Sequence, residues 1–202
     1  MPSLLMAFLC NFHPKLSVMQ NSHLTSSQKL FAYYKKLGEE AMEQVSEEKL
    51  FFQPTEESNS IAIIVQHLAG NMLSRWTDFL KTDGEKEWRN RDAEFETVIK
   101  TKEELIDFWN KGWQCLFDAI NPLTTEDLNR IIYIRNEGHT VMEAINRQLA
   151  HYPYHVGQMV FLAKMLADNE WKSLSIPKNN SQAYNQEKFS AEKTDSFFTN
   201  KI

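Results

Sequence analysis

Apolar positions recur with a helical period in four long stretches of this chain. From about Ser26 to Val45, Leu30, Phe31, Tyr34, Leu37, Ala41, Met42 and Val45 fall three or four residues apart, which puts them on one face of an α-helix. Thr25 or Ser26 is the expected N-cap, where a hydroxyl oxygen accepts from a free first-turn N–H. A second helix is expected from about Ile61 to Leu80. Its apolar side carries Ile64, Val65, Leu68, Met72, Trp76 and Phe79, and Ser58, Asn59 and Ser60 offer caps. The third opens on Thr101-Lys102-Glu103-Glu104, the pattern of a capping box, and Pro122 stops it. Its core positions are Leu105, Phe108, Trp109, Trp113, Leu116, Phe117 and Ile120. The fourth runs from Thr140 or Val141 to about Leu166, with Met142, Ile145, Leu149, Val156, Val160 and Ala163 along one side. Pro153 lies inside it and leaves the Leu149 carbonyl without its donor. A kink is expected there, the alternative being a split into two helices.

The connections differ in kind. Ser46 to Pro54 carries Phe51 and Phe52; the polar run Lys81 to Asp92 reads as a loop. Between Leu123 and Thr140 the pattern suggests a helical turn, a β-like run at Ile131–Ile134, and a turn at Asn136-Glu137-Gly138. Four helices of about 20 residues, each about 30 Å long, predict an all-α protein, a four-helix bundle. The long crossover between helices two and three can span the bundle, so those two helices can run parallel. The bundle is assigned to residues 19–170. Residues 171–202 are polar and lack helical periodicity; they hold Trp171, Leu174, Ile176 and Pro177 and are expected as a partly docked, partly disordered tail.

Composition narrows the class. A chain of 202 residues with 42% hydrophobic and 24% charged side chains suits one globular domain. Its net charge of −5 and lack of a long basic run argue against a nucleic-acid partner. Cys10 and Cys115 show no C-x-x-C spacing and suggest a reducing, cytoplasmic setting; Cys115 reads as a small buried side chain. No apolar run is long enough to span a bilayer. Leu4 to Cys10 is apolar but has no basic residue before it and no clear cleavage site after it. Residues 1–18 are therefore read as an extension with Met19 as the start, the alternative being a weak signal or anchor peptide.

Three histidines carry the candidate chemistry. His151 and His155 stand four apart and face the same way on a helix; His67 stands alone in the second helix. Three neutral imidazoles suit a divalent cation (Zn, Ni, Fe or Mn) and leave coordination positions open. The face around His67 carries Gly70, Asn71 and Ser74, small or polar residues unlike a simple core stripe. Gln148 and Gln158 fall on the face of the histidine pair and can steady a ligand, or else lie at a solvated edge. Glu143 and His139 are weak candidates for a proton-transfer group.

These residues resemble the DinB superfamily, which includes YfiT-like metal-dependent hydrolases and the bacillithiol and mycothiol S-transferases. The likeness rests on the isolated His67 and on His151-x-x-x-His155 followed by Gly157-Gln158. Gln66 through Leu80, the loop through Asp83-Gly84-Glu85-Lys86 and Trp88-Arg89-Asn90-Arg91-Asp92, and Leu174 through Lys178 point to an uncharacterised branch. The resemblance covers roughly residues 25–180. It implies an up-down-down-up bundle, a divalent metal held by His67, His151 and His155, and a homodimer. Pro153 is not required by that motif. The leading expectation is a metal-dependent thiol S-transferase or hydrolase acting on a small molecule, with a low-molecular-weight thiol as the candidate; Arg75, Arg89 and Arg91 would hold a carboxylate of the thiol or its acceptor, or else lie in a solvated charged loop. The alternatives are a non-catalytic metal-binding stress-response protein, or a dimeric scaffold using exposed aromatics such as Trp88 and Trp113.

Overall fold

Side-chain caps mark where three of the long helices of the protein begin. The computed structural model describes the backbone of residues 13–96, 98–194 and 199, and side chains from residue 23 onward within those spans. Cys10 and the apolar run before it lie outside the described residues. The elements are α1 (His13–Glu43), α2 (Glu47–Leu50), α3 (Ile61–Trp76), α4 (Lys102–Ile120), β1 (Ile131–Ile134), β2 (Glu137–Thr140), α5 (Val141–Ala167) and α6 (Ser181–Ser190). Ser60 caps α3 by accepting from the Ile63 amide, while Thr101 and Thr140 form full capping boxes with Glu104 and Glu143. No such cap forms at Ser26, and α1 begins at His13. The neighbouring Ser27 hydroxyl donates back to the His23 carbonyl at 2.8 Å, so it bonds along the helix and does not cap it.

Contacts between helices fix their directions. Phe31 meets Tyr152, and Gly38 faces Met159, so α1 and α5 run parallel. Gly112 packs on Ala69 and Cys115 reaches the Met72 carbonyl, so α3 and α4 also run parallel. His67 meets His155, and Asn71 meets Tyr152, so α3 and α5 are antiparallel. The result is the expected up-down-down-up bundle, with the crossover between α3 and α4 returning the chain along the bundle's length. At Gly112 a Cβ would stand 2.8 Å from the Ala69 Cα, so only glycine lets these two backbones come so close.

Phe31, Trp109, Trp113 and Tyr152 stack edge to face at the centre of the bundle, with centroids 5.4–6.4 Å apart. Trp113, expected as an exposed aromatic of a scaffold surface, is instead 0% exposed and packed in the core; Trp88, at 62%, is exposed. Cys115 is only partly buried, and burial raises its thiol pKa.

Besides the start of α1, three expected segments differ in the structure. The second helix ends at Trp76 and not at Leu80: Thr77 turns extended and Asp78 takes φ 47°. The chain then folds back on the last turn, where Ser74 Oγ donates to the Gly84 carbonyl (2.9 Å) and accepts from the Lys86 amide (3.1 Å). The β-like run is β1, and it pairs antiparallel with β2, which the sequence reading lacked. The reversal falls at Arg135-Asn136, both left-handed (φ 56° and 63°), so Glu137 and Gly138 belong to the strand. Asp83 in the crossover accepts from the amides of both turn residues at 2.8 Å, which ties the turn to the bundle. Lastly, residues 171–194 contain α6, which has no buried residue and so no apolar stripe to announce it; Trp171 and Leu174 pack on the core. Among the described residues no helix is long and apolar enough to cross a membrane.

Candidate metal centre

α5 runs unbroken through Pro153, so His151 and His155 keep their i, i+4 relation, with ring centroids 4.8 Å apart. His67 on α3 joins them, 5.4 Å from His151 and 4.9 Å from His155 between centroids. One nitrogen from each of the three lies within 4.8 Å of the others, a cluster that can hold a metal ion.

Each ring is held from behind by its other nitrogen. His67 Nδ1 lies 2.9 Å from Glu94 Oε2, His151 Nδ1 3.1 Å from Gln148 Oε1, and His155 Nδ1 2.8 Å from Gln158 Oε1. All three partners are oxygens that can only accept, so Nδ1 carries the proton and Nε2 presents its lone pair to the centre. Burial, then the neighbouring His155, His67, Arg75 and Arg89, hold His151 at a pKa of about 3. Burial also lowers His155, against the hydrogen bond that its Nδ1–H donates to Gln158. Neutral rings are the ligating form.

The Nε2 atoms of His67 and His151 stand 3.4 Å apart. With both protons on Nδ1, this is a meeting of two lone pairs and not a hydrogen bond. Two Zn–N bonds of about 2.0–2.1 Å at a tetrahedral angle would separate their nitrogens by about 3.4 Å. The donor set, and the spacing of the His67–His151 pair, therefore fit a divalent cation.

Glu94 comes from a 3-10 turn in the crossover, Asp92–Phe95, and is buried. Its burial would raise the carboxyl pKa, but hydrogen bonds from His67 and Arg89 outweigh that and keep it ionised. Arg89 grips it with Nε (2.7 Å) and Nη2 (2.9 Å), and reaches Glu85 at 3.2 Å with Nη1. Glu85 also takes Arg75 (2.8 Å) and Arg135 (3.2 Å). Phe95, next in the turn, stacks on the His67 ring with centroids 4.9 Å apart. Beneath the centre, Tyr152 donates to Asn71 Oδ1 (3.1 Å) and accepts from Trp76 Nε1 (3.0 Å). Above it opens a cavity of about 340 Å³, lined by the three imidazoles, Asn71, Gln148, Phe95 and five arginines: Arg75, Arg89, Arg91, Arg135 and Arg147.

The profile of a family described as a protein of unknown function, DUF1572, matches residues 18–180. The chain belongs to the DUF1572 family. No curated protein matches it. The span that matches DUF1572 contains all three histidines, Glu94 and the five arginines.

Gln148 and Gln158 stand where the sequence placed them, beside the histidine pair. Other residues do not serve as expected. Arg75 and Arg89 are bound to Glu85 and Glu94, and of the three arginines assigned to a carboxylate only Arg91 is unclaimed by an internal one. Glu143 is spent on the Thr140 capping box, and His139 is not among the cavity-lining residues. Ser74 anchors the crossover and faces no imidazole ligand. The sequence reading missed Glu94, Tyr152, Arg135 and Arg147. One signal pointed to Glu94: Gly70, one turn past His67 on α3. A Cβ there would lie 2.8 Å from the Glu94 carboxyl carbon, so the glycine opens the path by which the carboxylate reaches the ring.

Proposed function

We propose that this DUF1572 protein is a divalent-metal-dependent enzyme of the DinB superfamily that acts on a small molecule, with thiol S-transfer as its reaction. The observation that carries the reading is the convergence of three Nδ1-anchored imidazoles at the floor of an open cavity. His67, His151 and His155 would hold the cation. A bound divalent ion would supply the positive charge that favours a thiolate near neutral pH.

The chain's own groups do the rest. Glu94, Gln148 and Gln158 fix the ring orientations by accepting from Nδ1–H. Phe95 shields one face of His67 from water. The cavity, at about 340 Å³, admits a small molecule and not a polymer. In the transfer, sulfur bonds to an electrophilic carbon as the bond to the leaving group breaks. The leaving group keeps the electron pair, and the thiol proton passes to solvent. Hydrolysis of an ester or amide is the second reading. It is disfavoured because none of the described cavity-lining side chains is a carboxylate that could serve as general base. A homodimer fits Tyr154, Phe161 and Met165, all exposed along one face of α5.

The test begins with metal analysis of untagged protein purified without chelator. Metal-loaded protein is then mixed with bacillithiol, glutathione or cysteine and a model electrophile. Thiol consumption should exceed the uncatalysed rate, stop with chelator, and be lost in His67→Ala. Activity on an ester or amide panel alone would give the site to hydrolysis. Silence in both assays at full metal occupancy would leave a binding-only protein.

A further inference from the structure

The five arginines of the cavity fall into two sets. Arg75 and Arg89 lie at its base, with side chains 6% and 2% exposed, and Glu85 and Glu94 answer their charge. Arg91, Arg135 and Arg147 stand exposed at its rim. Arg135 shares Glu85, which Arg75 and Arg89 already bind. Arg91 lies over the Phe95 ring, 5.1 Å from its centroid. Neither Arg91 nor Arg147 has a carboxylate within ion-pair distance among the described residues. Five guanidiniums against two carboxylates leave a surplus of positive charge in one cavity of a chain whose net charge is −5.

Solvated arginines at a rim are ordinary, but three features point further. Arg75 Nε is buried and has no partner, a donor unanswered on a cavity-lining side chain. Arg135 occupies a left-handed turn position (φ 56°) where glycine or asparagine is the cheaper residue. That conformation is held by Asp83 from the crossover, so the fold sustains a strained backbone and sets a guanidinium on the cavity. Arg147 sits one helical turn before His151, on the same face of α5.

We propose that this rim binds the anionic end of the substrate, a carboxylate or phosphate group held by Arg91, Arg135 and Arg147, with the reacting end towards the three imidazoles. The inference deepens the reading of the three-His cluster as a reaction centre and rests on it. Planar guanidinium forks match the oxygens of either group. Concentrated positive charge at a cavity mouth also steers anions inward.

The test is calorimetric titration of inorganic phosphate and of succinate into the full chain, with and without one equivalent of zinc. At least one anion should bind at one site even without zinc, and the tighter of the two identifies the group. In the zinc-free protein, Arg91→Ala with Arg147→Ala should weaken that binding at least tenfold. Arg135→Gly should weaken it several-fold without lowering the melting temperature, because glycine takes φ 56° freely. Arg130→Ala removes a guanidinium paired to Asp127 away from the cavity and should leave affinity unchanged. Equal affinity in the double variant, or no binding of either anion by the parent protein, overturns the proposal. Zinc bound without any anion site would sink this inference and leave the metal reading intact. An anion site without zinc binding would keep the rim as an anion site and overturn both the metal reading and the placing of a reacting end at the imidazoles.

Discussion

Replacing Glu94 by alanine should damage both the stability of the bundle and its hold on a metal. The carboxylate is 8% exposed and takes three hydrogen bonds, from His67 Nδ1 (2.9 Å), Arg89 Nε (2.7 Å) and Arg89 Nη2 (2.9 Å). Its loss strands Arg89, whose side chain is 2% exposed, with only the longer contacts to Glu85 at 3.2 and 3.5 Å. Breaking a buried pair by removing one partner costs about 3–5 kcal/mol, and the remaining Glu85 contacts favour the lower end, about 3 kcal/mol. At roughly 2–4 °C per kcal/mol for a chain of this size, the melting temperature should fall by about 6–12 °C. His67 would also lose the acceptor that sets its tautomer, which should weaken metal binding by about 10–100-fold. Thermal denaturation followed by circular dichroism in chelator reads the first effect; competition against a chromophoric chelator reads the second. A variant that melts within a degree or two of the parent and binds metal equally well would refute the account of Glu94 as the anchor of His67.

Three further outcomes follow from other parts of the fold. Burial would raise the Asp83 carboxyl pKa, but the amides of Asn136, Glu85 and Arg135 outweigh it and hold the value below the ordinary 3.8. Its tie to the hairpin should therefore be complete above about pH 4 and lost as pH falls through the lower folded value. Asp83→Ala should cost about 0.5–1.5 kcal/mol at pH 7, because the freed amides are exposed to water, and progressively less as pH falls below about 4, measured by urea denaturation at each pH. Tyr152→Phe leaves the Trp76 N–H and the Asn71 carbonyl unsatisfied in the core and should cost about 1–3 kcal/mol by the same method; a neutral result would show that water replaces the hydroxyl. Phe161→Glu, on the exposed face of α5, should convert a homodimer to monomer in light scattering with little change in melting temperature; a monomeric parent would refute the dimer.

The bundle was legible because its information is periodic and local. Stripes such as Leu105, Trp109, Trp113 and Leu116 mark a helix and its buried face together, and the capping boxes at Thr101 and Thr140 mark where two helices start. The crossover was opaque for the opposite reason. Its order comes from single polar residues reaching distant partners, as when Asp83 meets the hairpin turn 52 and 53 residues on. No period encodes such pairings. Glu94 lay just past the run that reads as a loop, in a stretch with no period of its own, and only its neighbours, a histidine, an arginine and the gap over Gly70, make it a buried anchor. Arg147 carried no mark at all, being one exposed cation among many on helical surfaces. The histidine triad fell between these cases: His151 and His155 are a local pair, while His67 belongs to them only through tertiary structure.

The His67 ring and that of His151 belong to residues 84 positions apart in the chain. Closing a loop of that length by chance is rare in an unfolded ensemble, so the complete triad exists only once α3 and α5 have docked. A cation that needs all three rings then reports on native topology and favours it by mass action. At 100 times its dissociation constant it would add about 2.7 kcal/mol to the folding free energy, a large share of what holds a domain together. The centre would thus act as a clasp between the second and last long helices, and the supply of metal would set how tightly the bundle stays closed.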